Sequence, residues 1–197
     1  QDTSKNLVIV FNGEIYNFLE IKNTLVKKGH IFNSNSDTEV ILNSYKEWGY
    51  DCLNKLNGAF AFSIFDKKKN LVFAARDRSG EKPFFYQLEN KTFKFSSELK
   101  GLFSQNFSSS KIDYLSLDSY LTFGFIPGQE CILKDVKKLP PAHALIYNID
   151  LNLLKVWKYW ELPKYIGERN INEEDLNKEF NKLFKDAVEK QMISDVP

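Results

Sequence analysis

The chain has 197 residues, 43% of them hydrophobic and 15% aromatic, and its 27 Lys+Arg against 26 Asp+Glu leave a net charge of +1. That length and apolar content suffice for one domain with a real core and part of a second. The charge balance gives no electrostatic case for nucleic acid or an acidic membrane as a partner.

The first element is an apolar run, "LVIVF" at 7 to 11, which predicts a buried strand. It leads into Asn12-Gly13, a pair that marks turns, and then into "YNFLEIKNTLVKKGH". There Phe18, Leu19, Ile21 and Leu25 fall on one helical face, with Lys27 and Lys28 in the last turn and Gly29 as the stop. "SNSDTEVILNSYKEWG" predicts a second helix, with Ser36 and Glu39 spaced as a capping box and Gly49 at its end. "YDCLNKL" adds one short helical turn.

The period then changes. "GAFAFSIFD" at 58 to 66 is apolar on both faces, with Phe60, Phe62 and Ile64 on one and Ala61 and Phe65 on the other. Such a strand is covered twice. It pairs with "NLVFAARD" at 70 to 77 through a solvated lysine loop. "PFFYQL" and "KTFKFSS" form a second hairpin, and "HALIYNIDLNLLKVWKYW" a third, turning near 148 to 152. "SELKGLF" and "LSLDSYLTFGF" read as short helices. "NEEDLNKEFNKLFKDAVEKQM" reads as a long amphipathic helix with Leu176, Phe180, Leu183 and Val188 inward. The segment 161 to 170 mixes Pro, Gly and charge and is the expected boundary. Strands covered on both faces imply at least three layers.

Cys52, Cys131, His30 and His143 show no metal-ligand spacing, so no metal site is expected. Nothing approaches the roughly 18 apolar residues of a membrane span, and no signal-peptide pattern is present. The expectation is a cytoplasmic protein. The chain opens on Gln1 and closes on "MISDVP" without a helix stop, so both ends read as cut.

Four residues have two readings. Asn12 and Gly13 are a turn, or two donors at a strand end that converge on an oxyanion. Glu14 and Asp37 are first-turn helix acids, or two carboxylates that hold a substrate ammonium. Taken together they suit acyl transfer on an amino-acid-like substrate, and they lack a nucleophile.

The strings "FNGEIYN", "SDTEVIL", "LNGAFAFSIFD", "AARDRSGEKPFFY" and "SSELKGL", in this order, resemble the class II glutamine amidotransferase domain of glutamine-dependent asparagine synthetases. "FGFIPGQECILKDVKKLPPAHALIY" is similar to the end of that domain, and "KEFNKLFKDAVEKQMISDVP" to the helix leading into an ATP-using synthetase domain. The resemblance implies an α+β fold of the N-terminal-nucleophile hydrolase type, with antiparallel sheets between helical layers (αββα), incomplete at its N-terminus. It implies residues 1–165 as the amidotransferase domain and 166–197 as the leading helix of the next.

The implied chemistry uses an N-terminal Cys thiolate, its own α-amine serving as base, to attack the glutamine amide. A thioester forms, is hydrolysed to glutamate, and the released ammonia amidates an ATP-activated aspartate. Under this resemblance Asn12 and Gly13 form the oxyanion hole, and Glu14 and Asp37 hold the glutamine α-amino group. "RDRSG" and "SSELKG" are read as structural or interface elements, with Arg76 and Asp77 paired locally and Glu98 and Lys100 facing a partner domain.

The family's nucleophile lies well upstream of the Asn-Gly, together with the arginine that binds the glutamine carboxylate, and its pyrophosphate loop would follow Pro197. The chain alone is therefore expected to be inactive and to carry no cofactor, with ATP and Mg belonging to the synthetase domain. The expected partners are glutamine, the missing N-terminal strands, the synthetase domain and further copies of the chain. Two alternatives stay open: a non-catalytic remnant that only binds, and a related amidotransferase, including those that amidate another carboxylate or serve amino-sugar or purine synthesis.

Overall fold

The computed structural model describes residues 2, 5–103, 111–164, 167 and 172–192. In chain order its elements are β1 (Leu7–Ile15), α1 (Phe18–Lys27), α2 (Asp37–Trp48), a 3-10 turn (Gly49–Asn54), β2 (Gly58–Asp66) and β3 (Leu71–Arg76). There follow β4 (Phe85–Glu89), β5 (Thr92–Ser96), α3 (Leu99–Leu102), α4 (Tyr114–Phe123), β6 (Lys137–Lys138), β7 (His143–Asn148), β8 (Leu153–Lys158) and α5 (Glu173–Gln191). The strands form two antiparallel sheets, β1-β2-β3-β7-β8 and β5-β4-β6.

The alternation along β2 and β3 sets the layers. Phe60, Phe62, Ile64 and Phe73 face α1 and α2, where Ile21, Leu25, Val40 and Ile41 close the main core. On the reverse face Ala61, Ala74 and Leu145 meet Phe84 and Tyr86 of the second sheet region, with Phe93 and Phe95 against them. Small side chains on one sheet oppose rings on the other, which lets the two sheets approach closely. The outer face of the second sheet is covered by Leu99, Leu102 and Phe103 with the 131–136 segment, through Cys131, Leu133 and Val136. Helices, sheet, sheet and a thin outer layer give the α+β, αββα-type arrangement that the resemblance implies.

The three expected hairpins form. The lysine loop after β2 is exposed, and the Asp66 carboxylate ties it down by accepting the N–H groups of Lys68 and Lys69, each at 3.1 Å. The expected capping box is half right. Ser36 is the N-cap of α2 and accepts the Thr38 N–H at 3.2 Å. Glu39 instead reaches further back, accepting the N–H groups of Asn33 (2.9 Å) and Ser34 (2.7 Å).

One expectation is corrected outright. The α5 residues read as inward-facing, Leu176, Phe180, Leu183 and Val188, are 46%, 64%, 60% and 44% exposed, because nothing among the described residues packs over them. The expected boundary near 165 falls partly outside the described residues. No described helix is long and apolar enough to cross a membrane.

Candidate active site

β1 does not stop at Asn12. It runs on to Ile15, and Asn12 and Gly13 lie within it, opposite Ala61 and Phe60 of β2. Both the turn and the strand-end readings are therefore corrected. The ladder to β2 continues past the Asn-Gly pair, and α1 begins only at Phe18. Gly13 is required there. Its φ is +140°, and a Cβ would fall 2.1 Å from the Ala59 carbonyl oxygen.

The register fixes where the backbone donors point. Lys67 donates to the Asn6 carbonyl at 2.9 Å and Tyr16 to the Asn57 carbonyl at 2.8 Å, so even-numbered residues of this stretch bond to β2. Odd-numbered N–H groups then face the open edge of the sheet. Two of them are caught by carboxylates: Leu7 by Asp2 Oδ1 at 2.9 Å and Ile15 by Asp37 Oδ2 at 3.1 Å. The Gly13 N–H faces that same edge.

The Asn12 side chain leaves the sheet plane on the face it shares with Val10. It enters a cleft of about 500 Å³ between the two sheets, lined also by Phe84, Phe95, Ser97 and Lys100. Its Nδ2 donates to Ser97 Oγ at 3.2 Å. One donor thus points along the sheet plane and the other, on the preceding residue, out of it into the cleft.

Glu14 is not at a helix start, since it is a residue of β1; Asp37 is the first residue of α2. The structure places Asp37 against the backbone next to Glu14: its Oδ2 accepts the N–H of Ile15 at 3.1 Å. Glu14 itself is exposed. Burial raises the Tyr16 phenol, and the charges of Glu81, Glu14 and Asp77 raise it further. Glu81 therefore belongs to the same acidic end of β1, where an ammonium group would be favoured. Nothing in the spacing of the sequence had singled it out.

Arg76 and Asp77 do not pair with each other. Arg76 donates to the carbonyls of Gly80 (2.6 Å), Lys82 (2.7 Å) and Leu139 (2.8 Å). The buried Asp77 carboxylate accepts the N–H groups of Phe60 (3.2 Å) and of Ser79, Glu81 and Lys82 (3.0 Å each). The first two residues of "RDRSG" are thus structural in detail: Arg76 ties the 80–82 loop to Leu139, and Asp77 ties it to Phe60. Glu98 and Lys100 pair with each other at 2.7 Å on the surface.

Cys52 and Cys131 are both buried, and burial pushes the Cys52 thiol up to about 12. A protonated, enclosed thiol is no nucleophile. Among the described residues no group of His, Cys, Asp and Glu side chains is arranged to hold a metal ion.

Residues 1–160 match the family model of the glutamine amidotransferase domain. The chain belongs to that family. This amidotransferase domain is 42% identical, over 96% of the chain, to an asparagine synthetase [glutamine-hydrolyzing] 3 of Bacillus subtilis. It is also 42% identical, over 98% of the chain, to a putative asparagine synthetase [glutamine-hydrolyzing] 2 of Methanocaldococcus jannaschii. The chain spans 30% and 37% of the lengths of these two relatives. Its fold matches glutamine phosphoribosylpyrophosphate amidotransferase from B. subtilis, with a TM-score of 0.53 at 21% identity over 81% of the chain. It matches an allosteric regulatory enzyme of purine biosynthesis at a TM-score of 0.54, again at 21% identity over 81% of the chain.

Proposed function

We propose that the chain carries the oxyanion hole and the ammonium site of a glutaminase within a glutamine-hydrolysing asparagine synthetase. The observation that carries this is the register of β1, which leaves the Gly13 N–H at the open edge while Asn12 sends its amide into the adjoining cleft. Two such donors stabilise the oxygen of a tetrahedral intermediate on the glutamine side-chain amide. Glu14 and Asp37 receive the α-ammonium group.

The attacking thiolate comes from an N-terminal cysteine, since neither Cys52 nor Cys131 is accessible. The thioester is hydrolysed to glutamate. The ammonia passes to a synthetase domain, begun by residues 166–197, where ATP with Mg activates the carboxylate of aspartate. The whole protein works in the cytoplasm, and this chain alone releases no ammonia from glutamine.

The test uses the protein made from the whole reading frame that contains the chain. Ammonia release from glutamine is expected, with Asn12→Ala slowing it about 10²–10³-fold. Asp37→Asn is expected to raise the KM for glutamine more than it lowers kcat. A whole protein that releases no ammonia, or the isolated chain releasing it, overturns the proposal.

A further inference from the structure

An asparagine amide is nearly symmetric in shape, but its two ends are opposite in charge. Only the NH2 end stabilises an oxyanion; the carbonyl end repels it. The usefulness of Asn12 therefore depends on what holds its amide in place. The side-chain partner the structure gives it is Ser97, whose Oγ takes the Nδ2–H at 3.2 Å across 85 residues of sequence.

Ser97 is held firmly enough to act as a reference point. It is the first residue beyond β5, whose last residue, Ser96, is paired with Phe85 in the second sheet. Ser96 Oγ accepts the Glu98 N–H at 3.2 Å, and the Gly101 N–H donates to the Glu98 carbonyl at 3.1 Å. A Cβ on Gly101 would fall 2.2 Å from Ser96 Oγ, so a larger residue there would push aside the hydroxyl that accepts the Glu98 N–H. Strand register on one side and a closed turn on the other place the Ser97 hydroxyl opposite Asn12.

We infer that Ser97 is the positioning residue of the oxyanion hole: its hydroxyl accepts one Nδ2–H of Asn12, holds the amide at one point of the cleft and leaves the second Nδ2–H for the substrate oxygen. The link also couples the hole to the spacing of the two sheets, because Asn12 stands on one and Ser97 at the end of the other. The inference rests on the glutaminase reading and deepens it. It assigns a role to "SSELKG" that goes beyond a structural element.

The experiment is a double-mutant cycle on glutamine hydrolysis by the protein made from the whole reading frame. Ser97→Ala is expected to lower kcat about tenfold, the worth of one net hydrogen bond, with KM for glutamine unchanged. Ser97→Thr keeps the hydroxyl and is expected to stay within about threefold of wild type. Asn12→Ala/Ser97→Ala is expected to be no slower than Asn12→Ala alone, because Ser97 acts only through Asn12. Additive losses, a Ser97→Ala rate equal to wild type, or a Thr variant as slow as the Ala variant would each overturn the assignment. A wild-type protein without glutaminase activity would overturn the reading beneath it as well. That outcome is distinct, because only there is the parent protein inactive.

Discussion

Asp77 and Phe60 are joined twice: the Asp77 N–H donates to the Phe60 carbonyl at 2.8 Å, and the Asp77 carboxylate accepts the Phe60 N–H at 3.2 Å. Phe60 is the residue opposite Gly13, so the loop after β3 braces the strand against which the oxyanion-hole glycine lies. The same carboxylate serves three further N–H groups and is 1% exposed.

Removing this carboxylate leaves four backbone donors without their acceptor. Asp77→Ala is expected to destabilise the fold by at least about 3 kcal/mol, since each buried unsatisfied group costs about 1–3 kcal/mol. Asp77→Asn keeps one acceptor oxygen but turns an NH2 toward donors, so it is expected to fall between the two. Urea unfolding of the three proteins orders them. Equal midpoints for Asp77→Asn and wild type would contradict the argument.

Gly13→Ala tests the close approach of β1 and β2. The added Cβ meets the Ala59 carbonyl oxygen at 2.1 Å and Phe60 Cα at 2.7 Å, both of them backbone, so no side chain can yield. The positive φ adds strain of about 1–3 kcal/mol. A loss of about 3 kcal/mol in total is expected, read as a lower thermal midpoint. An unchanged midpoint would mean that β1 moves away from β2 without cost.

The layers were legible in the sequence because β2 alternates Phe with Ala and the hairpin turns announce themselves. The site was legible only as a set of residues. Asn12-Gly13 read as a strand end because Asn-Gly is disfavoured within ladders, yet β1 continues to Ile15 by bringing two backbones together at Gly13 and Gly58. That compensation is tertiary, and spacing along the chain does not encode it. The same holds for Ser97, which is 85 residues from Asn12, and for Glu81. The amphipathic pattern of α5 was read correctly as a pattern, but a pattern does not say which surface covers it.

The buried thiol of Cys52 makes stability depend on alkaline pH. Its folded pKa, about 12, lies above the unfolded value of about 8.5. Its contribution is therefore fully present below pH ~8.5 and is lost as pH rises toward the folded value. There the unfolded chain has released a proton that the native state keeps, which gives a loss of about 1.4 kcal/mol per pH unit. Burial raises Tyr45 and Tyr159 in the same sense, and they join above pH ~10. Urea unfolding at pH 8, 9 and 10 is expected to show this decline, and Cys52→Ala to flatten it below pH 10. Parallel declines in the two proteins would remove Cys52 as the cause.

The open edge of β1 has a consequence for the isolated chain in solution. β1 ends the five-stranded sheet, and the register turns the N–H and C=O groups of Ile9, Phe11 and Gly13 away from β2. Asp2 and Asp37 cap the two ends of this row at Leu7 and Ile15, but no strand among the described residues pairs with its middle, beside a valine, Val10, that is 61% exposed. A row of unpaired strand groups next to apolar surface recruits another strand. The chain is therefore expected to associate as its concentration rises, with an increase in apparent mass by light scattering. Val10→Lys sets a charge on that strand and is expected to shift the species back toward monomer, because a second strand laid along β1 would have to desolvate the ammonium. A monodisperse monomer at every concentration in the wild-type chain would show that solvent satisfies this edge as well as a strand does.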